Sequence, residues 1–371
     1  MTSDHIFLQG QGFRALNDKV VFVLGTDGNL WWMPAPFGTA PNPNRHQVDG
    51  NVSGCQVVYD IIAGVAFVRG WDGNLWWTPP PYGTVPNPNR LQVDGNVTSF
   101  QALNQQTVFI LGSDGNLWYT PGSYGTVPNP NRLQVDGNVS RWLGDYQPIS
   151  ERTVFVRGSD GNLWYTPAPF GIVPNPNRLQ VDGNVGDYQA LNERTVFVLG
   201  NDGNLWYTPA PFGPVPNPNR LLVDRNVFQV DGRAQGLQVL NEQTVFVLGS
   251  DRNLWYTPAP FGTAPNPNRL LVDGNVKAFQ ALDDRTVFVL GTDGNLWYTP
   301  APFGTAPNPN RLQVDGNVFL YQALDRQTVF VEGSDNNLWY TPAPFGMAPN
   351  PKRLLVDRNV APSTGQPDDG G

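Results

Sequence analysis

Cysteine is almost missing from this sequence: Cys55 is the only one in 371 residues, so no disulfide can form within the chain. That suits a reducing compartment, or a secreted fold that does without disulfides. Histidine is nearly as scarce, with His5 and His46 alone. No Cys/His spacing of a metal site and no Asp-x-Asp-x-Asp-Gly calcium loop is present, so no metal and no cofactor is expected. Lys and Arg number 23 against 31 acidic residues, a net charge of −8. A phosphate-binding surface needs clustered basic residues, so neither nucleic acid nor an anionic membrane surface is an expected partner. No apolar run approaches the roughly 18 residues that cross a bilayer. The start, Met1-Thr2-Ser3-Asp4-His5, lacks the basic-then-apolar pattern of a signal peptide. The expectation is a soluble protein without membrane insertion, cytoplasmic or released without a recognisable leader.

Glycine (40) and proline (36) are abundant, and both recur at fixed offsets. Asn-Leu-Trp after a turn occurs eight times, the turn aspartates being Asp27, Asp72, Asp114, Asp160, Asp202, Asp251, Asp293 and Asp335. Their spacings are 45, 42, 46, 42, 49, 42 and 42, a base unit of 42 residues with additions before units two, four and six. Unit seven shows the plan. Phe279–Leu282 and the β-branched run Thr286–Leu290 read as strands. Asp293-Gly294 reads as a tight two-residue hairpin turn, and Leu296–Thr299 returns antiparallel. Pro300, Pro302 and Pro307 mark a long loop, and Arg311–Val314 is a fourth strand closed by the turn Asp315-Gly316-Asn317. No segment has a helical apolar period.

A four-stranded unit cannot bury both faces alone, whereas copies stacked around an axis cover both. The first and last units keep the same apolar pattern, which favours closure over an open solenoid with special caps. The expected fold is an all-β, closed β-propeller of eight four-stranded antiparallel blades. It spans 13–360, with repeats at about 13–52, 55–97, 98–139, 143–185, 186–227, 235–276, 277–318 and 319–360. Residues 1–12 precede it, with Ile6-Phe7-Leu8 a possible ring-closing strand, and 361–371 reads as a disordered tail.

Several repeated positions could carry binding. Trp31, Trp76, Trp118, Trp164, Trp206, Trp255, Trp297 and Trp339 offer faces for a sugar ring, although packing between blades is the more ordinary use of a mid-strand Trp. Next to them stand Tyr119, Tyr165, Tyr207, Tyr256, Tyr298 and Tyr340, with Trp32 and Trp77 in the first two units. These point to the opposite blade face, where stacking on a ligand and packing at a rim are both open. The run Pro-Asn-Pro-Asn-Arg ends in Arg45, Arg90, Arg132, Arg178, Arg220, Arg269 and Arg311, with Pro351-Lys352-Arg353 in unit eight. Each arginine lies four residues before an aspartate, as Arg311 does before Asp315, so an ion pair on one strand face competes with hydrogen bonding to a ligand. In two units the Gly of the second turn is replaced, by Arg225 and Arg358. The loop aromatics Phe37, Tyr82, Tyr124, Phe170, Phe212, Phe261, Phe303 and Phe345 read as plugs over the blade rim rather than contacts.

The order of Asn-Leu-Trp-Tyr, prolines, Asn-rich loop, Arg and Gly-Asn turn resembles the repeat of tachylectin-type β-propeller lectins. It is also similar to the tectonin group and to related bacterial and fungal propeller lectins. The resemblance covers Phe13 to Val360. Where those proteins often have Asp-Asn-Trp and Gly-Gly-Trp, this chain has Pro-Asn-Pro-Asn and Asp-Gly-Asn-Val. The resemblance implies shallow carbohydrate sites between adjacent blades. Carried over are the loop residues Asn44, Asn89, Asn131, Asn177, Asn219, Asn268 and Asn310 with the eight arginines. With them go the second-turn residues Asp49, Asp94, Asp136, Asp182, Asp224, Asp273, Asp315 and Asp357, and Asn51, Asn96, Asn138, Asn184, Asn226, Asn275, Asn317 and Asn359.

The leading expectation is therefore a multivalent lectin, an agglutinin without catalysis, taking glycans or glycoconjugates on cell surfaces and gaining avidity from eight sites. On that reading Arg311→Ala leaves folding intact. A protein-interaction scaffold is the alternative. A hydrolase would need one unique acid–base cluster, for which Tyr59, Asp60 and Trp71 of unit two are the only candidates.

Overall fold

Each unit's second strand alternates large apolar residues on both of its faces, so it is stable only when covered on both sides. The computed structural model bears this out and describes residues 12–59, 64–140, 145–228 and 236–361. All its regular elements are strands, arranged as eight four-stranded antiparallel sheets that each follow chain order. The first sheet is β1 (Phe13–Asn17), β2 (Val20–Leu24), β3 (Leu30–Pro34) and β4 (His46–Asp49). The second is β5 (Val52–Tyr59), β6 (Gly64–Gly70), β7 (Leu75–Thr78) and β8 (Leu91–Asp94). In sheet 7 the strands are Val276–Asp283, Thr286–Gly291, Leu296–Pro300 and Leu312–Asp315, within a few residues of the sequence expectation. Ile6-Phe7-Leu8 and the tail beyond Ala361 lie outside the described residues, as do Asp60 and the Tyr59 side chain.

The chain falls into two compact units. One holds the described residues up to Ser159 with Tyr165–Arg178 and those from Leu355 onward; the other holds Asp160–Trp164 and Leu179–Leu354. In the first, alternate residues of one strand serve two cores. Val108 and Ile110 pack with Phe67 and Val93 of sheet 2, while Phe109 and Leu111 pack with Val154 and Val156 of sheet 4. In the second, Phe246 and Leu248 pack with Val287 and Val289 in the same way. The segment just after the chain's last strand also meets its first sheet inside the first unit. Gly25 and Val360 form an antiparallel bridge, Thr26 N–H donates to Asn359 O at 2.9 Å, and Ala361 N–H donates to Leu24 O at 2.7 Å.

Two turn assignments change. The first turn is a four-residue connection rather than a two-residue one: Gly291 N–H donates to Asn295 O at 2.9 Å, and the positive φ falls on Gly294 (78°). Arg252 (63°) and Asn336 (58°) take that φ in sheets 6 and 8. In the second turn the left-handed residue is the asparagine, with φ of 54–56° from Asn51 to Asn359, and not the preceding glycine. This explains why Arg225 and Arg358 replace that glycine without strain, since Asn tolerates the left-handed region better than most residues.

The proline loop is held by its first asparagine. Asn42 is 2% exposed; its Nδ2 donates to Pro34 O at 2.7 Å and its Oδ1 accepts the Asn44 N–H at 2.9 Å. The same pair of bonds recurs at Asn87, Asn129, Asn175, Asn217, Asn266, Asn308 and Asn350. A buried amide whose nitrogen and oxygen are both bonded keeps a loop rich in proline in one conformation. The loop lies along the fourth strand of the preceding sheet, where Gly83 N–H donates to Gln47 O at 2.9 Å and Gly304 N–H to Leu271 O at 2.8 Å. It thereby covers an edge that would otherwise offer unpaired backbone groups.

Candidate functional site

The site begins with a β-bulge. Leu30 lies opposite Asp49 but Trp31 lies opposite Gln47, which leaves Val48 as the extra residue. The same skip occurs at Val93, Val135, Val223, Val272 and Val314. On a regular strand Arg45 and Asp49 would share a face; one inserted residue reverses the alternation and sends the two side chains to opposite faces. The expected pairing of Arg311 with Asp315 therefore does not occur. Arg311 Nη1 binds Asp273 of the preceding unit at 2.9 Å, and Asp315 receives Arg353 of the following unit at 3.1 Å.

This arrangement repeats. Arg90 pairs with Asp49, Arg132 with Asp94 and Arg178 with Asp136 in the first compact unit; Arg220 with Asp182 and Arg269 with Asp224 follow in the second, all at 2.9–3.2 Å. Arg45 approaches Asp357 only to 3.9 Å. The aspartate side chains are 3–6% exposed and the arginines 25–30%. Each Asp Oδ1 also accepts the next backbone N–H, as Asp49 does from Gly50 at 2.9 Å. The guanidinium carbons of Arg45, Arg90, Arg132, Arg220, Arg269, Arg311 and Arg353 lie over their own unit's tryptophan, 4.0–4.2 Å from the ring centre. The arginine is thus held by a buried carboxylate and a π-face together. A sugar ring would have to displace it to stack on that face of the tryptophan.

The tyrosine face is occupied too. Tyr119, Phe109 and the loop residue Phe170 of the next unit form an aromatic triad with ring centres 5.5–6.1 Å apart. Tyr207 with Phe261, Tyr256 with Phe303 and Tyr298 with Phe345 repeat it, and Tyr165 and Tyr340 meet Phe155 and Phe330 edge-on. The loop aromatics are plugs, as their sequence context suggested, and the tyrosines pack beneath them.

Of the carried-over residues, the structure gathers those of adjacent units rather than of one unit. A pocket of about 260 Å³ is lined by Asp182, Gly183 and Asn184 from one unit and by Val198, Gly200, Asp202, Trp206, Val215, Pro216 and Arg220 from the next. A second, of about 270 Å³, repeats this with Asp224 and Asn226 against Trp255 and Arg269. Asn219, in the same loop as Arg220, lines neither pocket. The exposed loop asparagines, from Asn44 to Asn310, give their backbone N–H to the buried asparagine two residues earlier. The second-turn asparagines are exposed, and their carbonyls accept an N–H from the next unit, as Asn51 does from Trp71 at 3.0 Å.

Sequence reasoning passed over three groups. The buried loop asparagines look no different from their exposed neighbours in Pro-Asn-Pro-Asn. Gln56, Gln189, Gln238 and Gln280 each clamp the backbone of the next unit's first strand, Gln238 through Nε2 to Ala281 O at 2.7 Å and Oε1 from Ala281 N–H at 2.8 Å. Glu332 replaces the Leu of Val-Phe-Val-Leu in unit eight; it is 0% exposed, neither oxygen has a partner among the described residues, and burial pushes its carboxyl up to about 8. The replacement of Leu by Glu in a strand with two apolar faces was the available signal.

The titratable groups of the first pocket are engaged with their neighbours. Asp182 is committed to Arg220, and both oxygens of Asp202 hold Asn204. Cys55 is buried, and burial raises its thiol to about 12. Among the described residues no group of three or more His, Cys, Asp or Glu is placed to hold a metal, and no helix is long and apolar enough to cross a membrane.

No protein-family model and no curated protein matches the chain. Solved structures do. The C-terminal WD40 domain of Sif2 aligns with a TM-score of 0.54 and 11% identity over 92% of this chain and 97% of that one. BamB from Moraxella catarrhalis aligns with a TM-score of 0.53 and 13% identity over 91% and 96%. At such identities the likeness concerns the fold alone, and with the eight sheets it makes this chain an eight-bladed β-propeller.

Proposed function

We propose that this chain is a non-catalytic binding protein that works as a protein-interaction scaffold. One observation carries the reading: the polar residues that repeat are spent on the protein itself, while side chains peculiar to one unit are displayed. The arginines and aspartates close the junctions between units. Trp71 stands where the other units have Ser, Thr or Asn, Ile172 and Met347 stand where the others have Thr or Pro, and the three are 68%, 68% and 65% exposed. Exposed aromatic and large apolar groups on a rigid frame are the usual anchors of protein interfaces. The test compares partners recovered by the intact protein and by the variant Trp71→Ala/Ile172→Ala. Loss of a specific partner with unchanged folding supports the scaffold; an unchanged partner set contradicts it.

A second reading, carbohydrate binding, is supported by the pockets of similar lining at successive junctions and by the resemblance to propeller lectins. Pocket-facing asparagine amides and the guanidinium edges not turned to Asp would bind hydroxyl groups, with no metal needed. A glycan array run with and without chelator decides it. Chelator-insensitive binding to a defined sugar group favours this reading, and a blank array at high protein concentration removes it.

A further inference from the structure

Three second turns differ from the other five in one respect that the fold does not require. Asn51-Val52-Ser53, Asn96-Val97-Thr98 and Asn138-Val139-Ser140 are the only Asn-x-Ser/Thr triplets in the sequence, and all three occupy the same position of the repeat. The residue two places after the asparagine is Gly186, Phe228, Lys277, Phe319 and Ala361 in the remaining units. A hydroxyl there is therefore dispensable for the turn. Ser53 Oγ does accept a bond from Arg69 Nε at 2.9 Å, but among the described residues the hydroxyls of Thr98 and Ser140 make none.

The backbone and side chain of these asparagines have separate fates. Each carbonyl is fixed by the next unit, through Trp71, Ser113 and Ser159 N–H at 3.0, 2.8 and 2.9 Å. The left-handed φ of 54–55° and the exposed position leave each side-chain amide in solvent, without a hydrogen bond among the described residues. An asparagine amide presented on a surface turn, with a hydroxyl two residues on, is the acceptor pattern for N-linked glycosylation.

We infer that Asn51, Asn96 and Asn138 carry N-linked oligosaccharides. In the transfer, Nδ2 of each asparagine forms a bond to the anomeric carbon of a lipid-pyrophosphate-linked oligosaccharide. The bond from that carbon to the pyrophosphate oxygen breaks, the lipid pyrophosphate leaves, and one amide proton is lost. The second-turn asparagine lines the junction pocket in both resolved cases, Asn184 and Asn226. The three oligosaccharides would accordingly stand beside the Arg90–Asp49, Arg132–Asp94 and Arg178–Asp136 junctions, all within the first compact unit. The five other junctions, the four of the second unit and that of Arg45 with Asp357, would stay bare, so a repeated chain gains two kinds of junction. This holds whichever reading of the function is right.

The test is peptide mapping by mass spectrometry of the protein purified from the cells that naturally make it, before and after peptide-N-glycosidase. The enzyme converts a glycosylated Asn to Asp, so conversion at two or three of positions 51, 96 and 138, and none at Asn184, supports the inference. Unmodified Asn at two or all three positions overturns it. The variant Thr98→Ala, made in the same cells, keeps Asn96 and its turn and is expected to lose modification at 96 alone; modification that persists there contradicts the assignment.

Discussion

Two junctions of the first compact unit use the same residues and close to different degrees. Between sheets 1 and 2, Arg90 stacks on Trp76 at 4.1 Å and reaches Asp49 at 3.0 Å. Between sheet 1 and the chain's last strand, Arg45 stacks on Trp31 at 4.0 Å but stops 3.9 Å from Asp357. Backbone bonds do not distinguish them, since Trp71 to Asn51 and Thr26 to Asn359 are 3.0 and 2.9 Å. Covalent continuity does. From Asp49 the chain turns through Gly50 and Asn51 straight into β5, whereas from Asp357 it has no peptide route into the first sheet. Burial also pushes the Asp357 carboxyl upward. The motif fixes what meets at a junction, and the chain path fixes how tightly.

The comparison can be broken at either end. Glu332→Leu should give the largest change, because it removes a buried carboxyl with no partner among the described residues and restores the Leu that five of the other units have. Its pKa rises from 4.5 unfolded to about 8 folded, so the folded state holds the proton more tightly. The protein therefore loses stability as pH rises from 4.5 toward 8, and the Leu variant should lack that slope, gaining on the order of 3 kcal/mol at the alkaline end. Denaturant unfolding at both pH values checks this; equal slopes would refute it.

Arg90→Ala comes next. It strands Asp49, with its side chain 4% exposed, and uncovers Trp76, at a cost of about 2–3 kcal/mol given that the arginine is partly exposed. Arg45→Ala should cost about 1 kcal/mol at the looser junction. Thermal unfolding of the two variants gives the order, and equal losses would mean that the longer contact is as strong. Smallest is Thr299→Val. Thr299 is one of seven buried strand-end hydroxyls without a partner among the described residues, and unit one already has Met33 there. Loss of an unpaired hydroxyl should be neutral or stabilise by about 1 kcal/mol, and a clear destabilisation would reveal a hidden partner.

The 42-residue period, the four strands per unit and the role of the loop aromatics were legible, because period-two alternation and turn residues are local signals. The partners of Arg and Asp were not. Counting along a strand places Arg311 and Asp315 on one face, and only the bulge at Val314 shows that they part. That bulge comes from packing between sheets and leaves no mark in the residues of Gln-Val-Asp. For the same reason Arg311→Ala is now expected to cost stability, since Arg311 bridges to Asp273 in another unit.

The central claim is that the repeated Arg–Asp–Trp constellation holds units together. A double-mutant cycle on Arg90 and Asp49, with Arg90→Ala, Asp49→Ala and the double variant followed by denaturant unfolding, tests it most directly. The account predicts that each single change destabilises and that the double change costs clearly less than their sum, with a coupling of about 2 kcal/mol. Additive or negligible losses, together with loss of ligand binding in Arg90→Ala, would contradict it and return the arginine to a binding role.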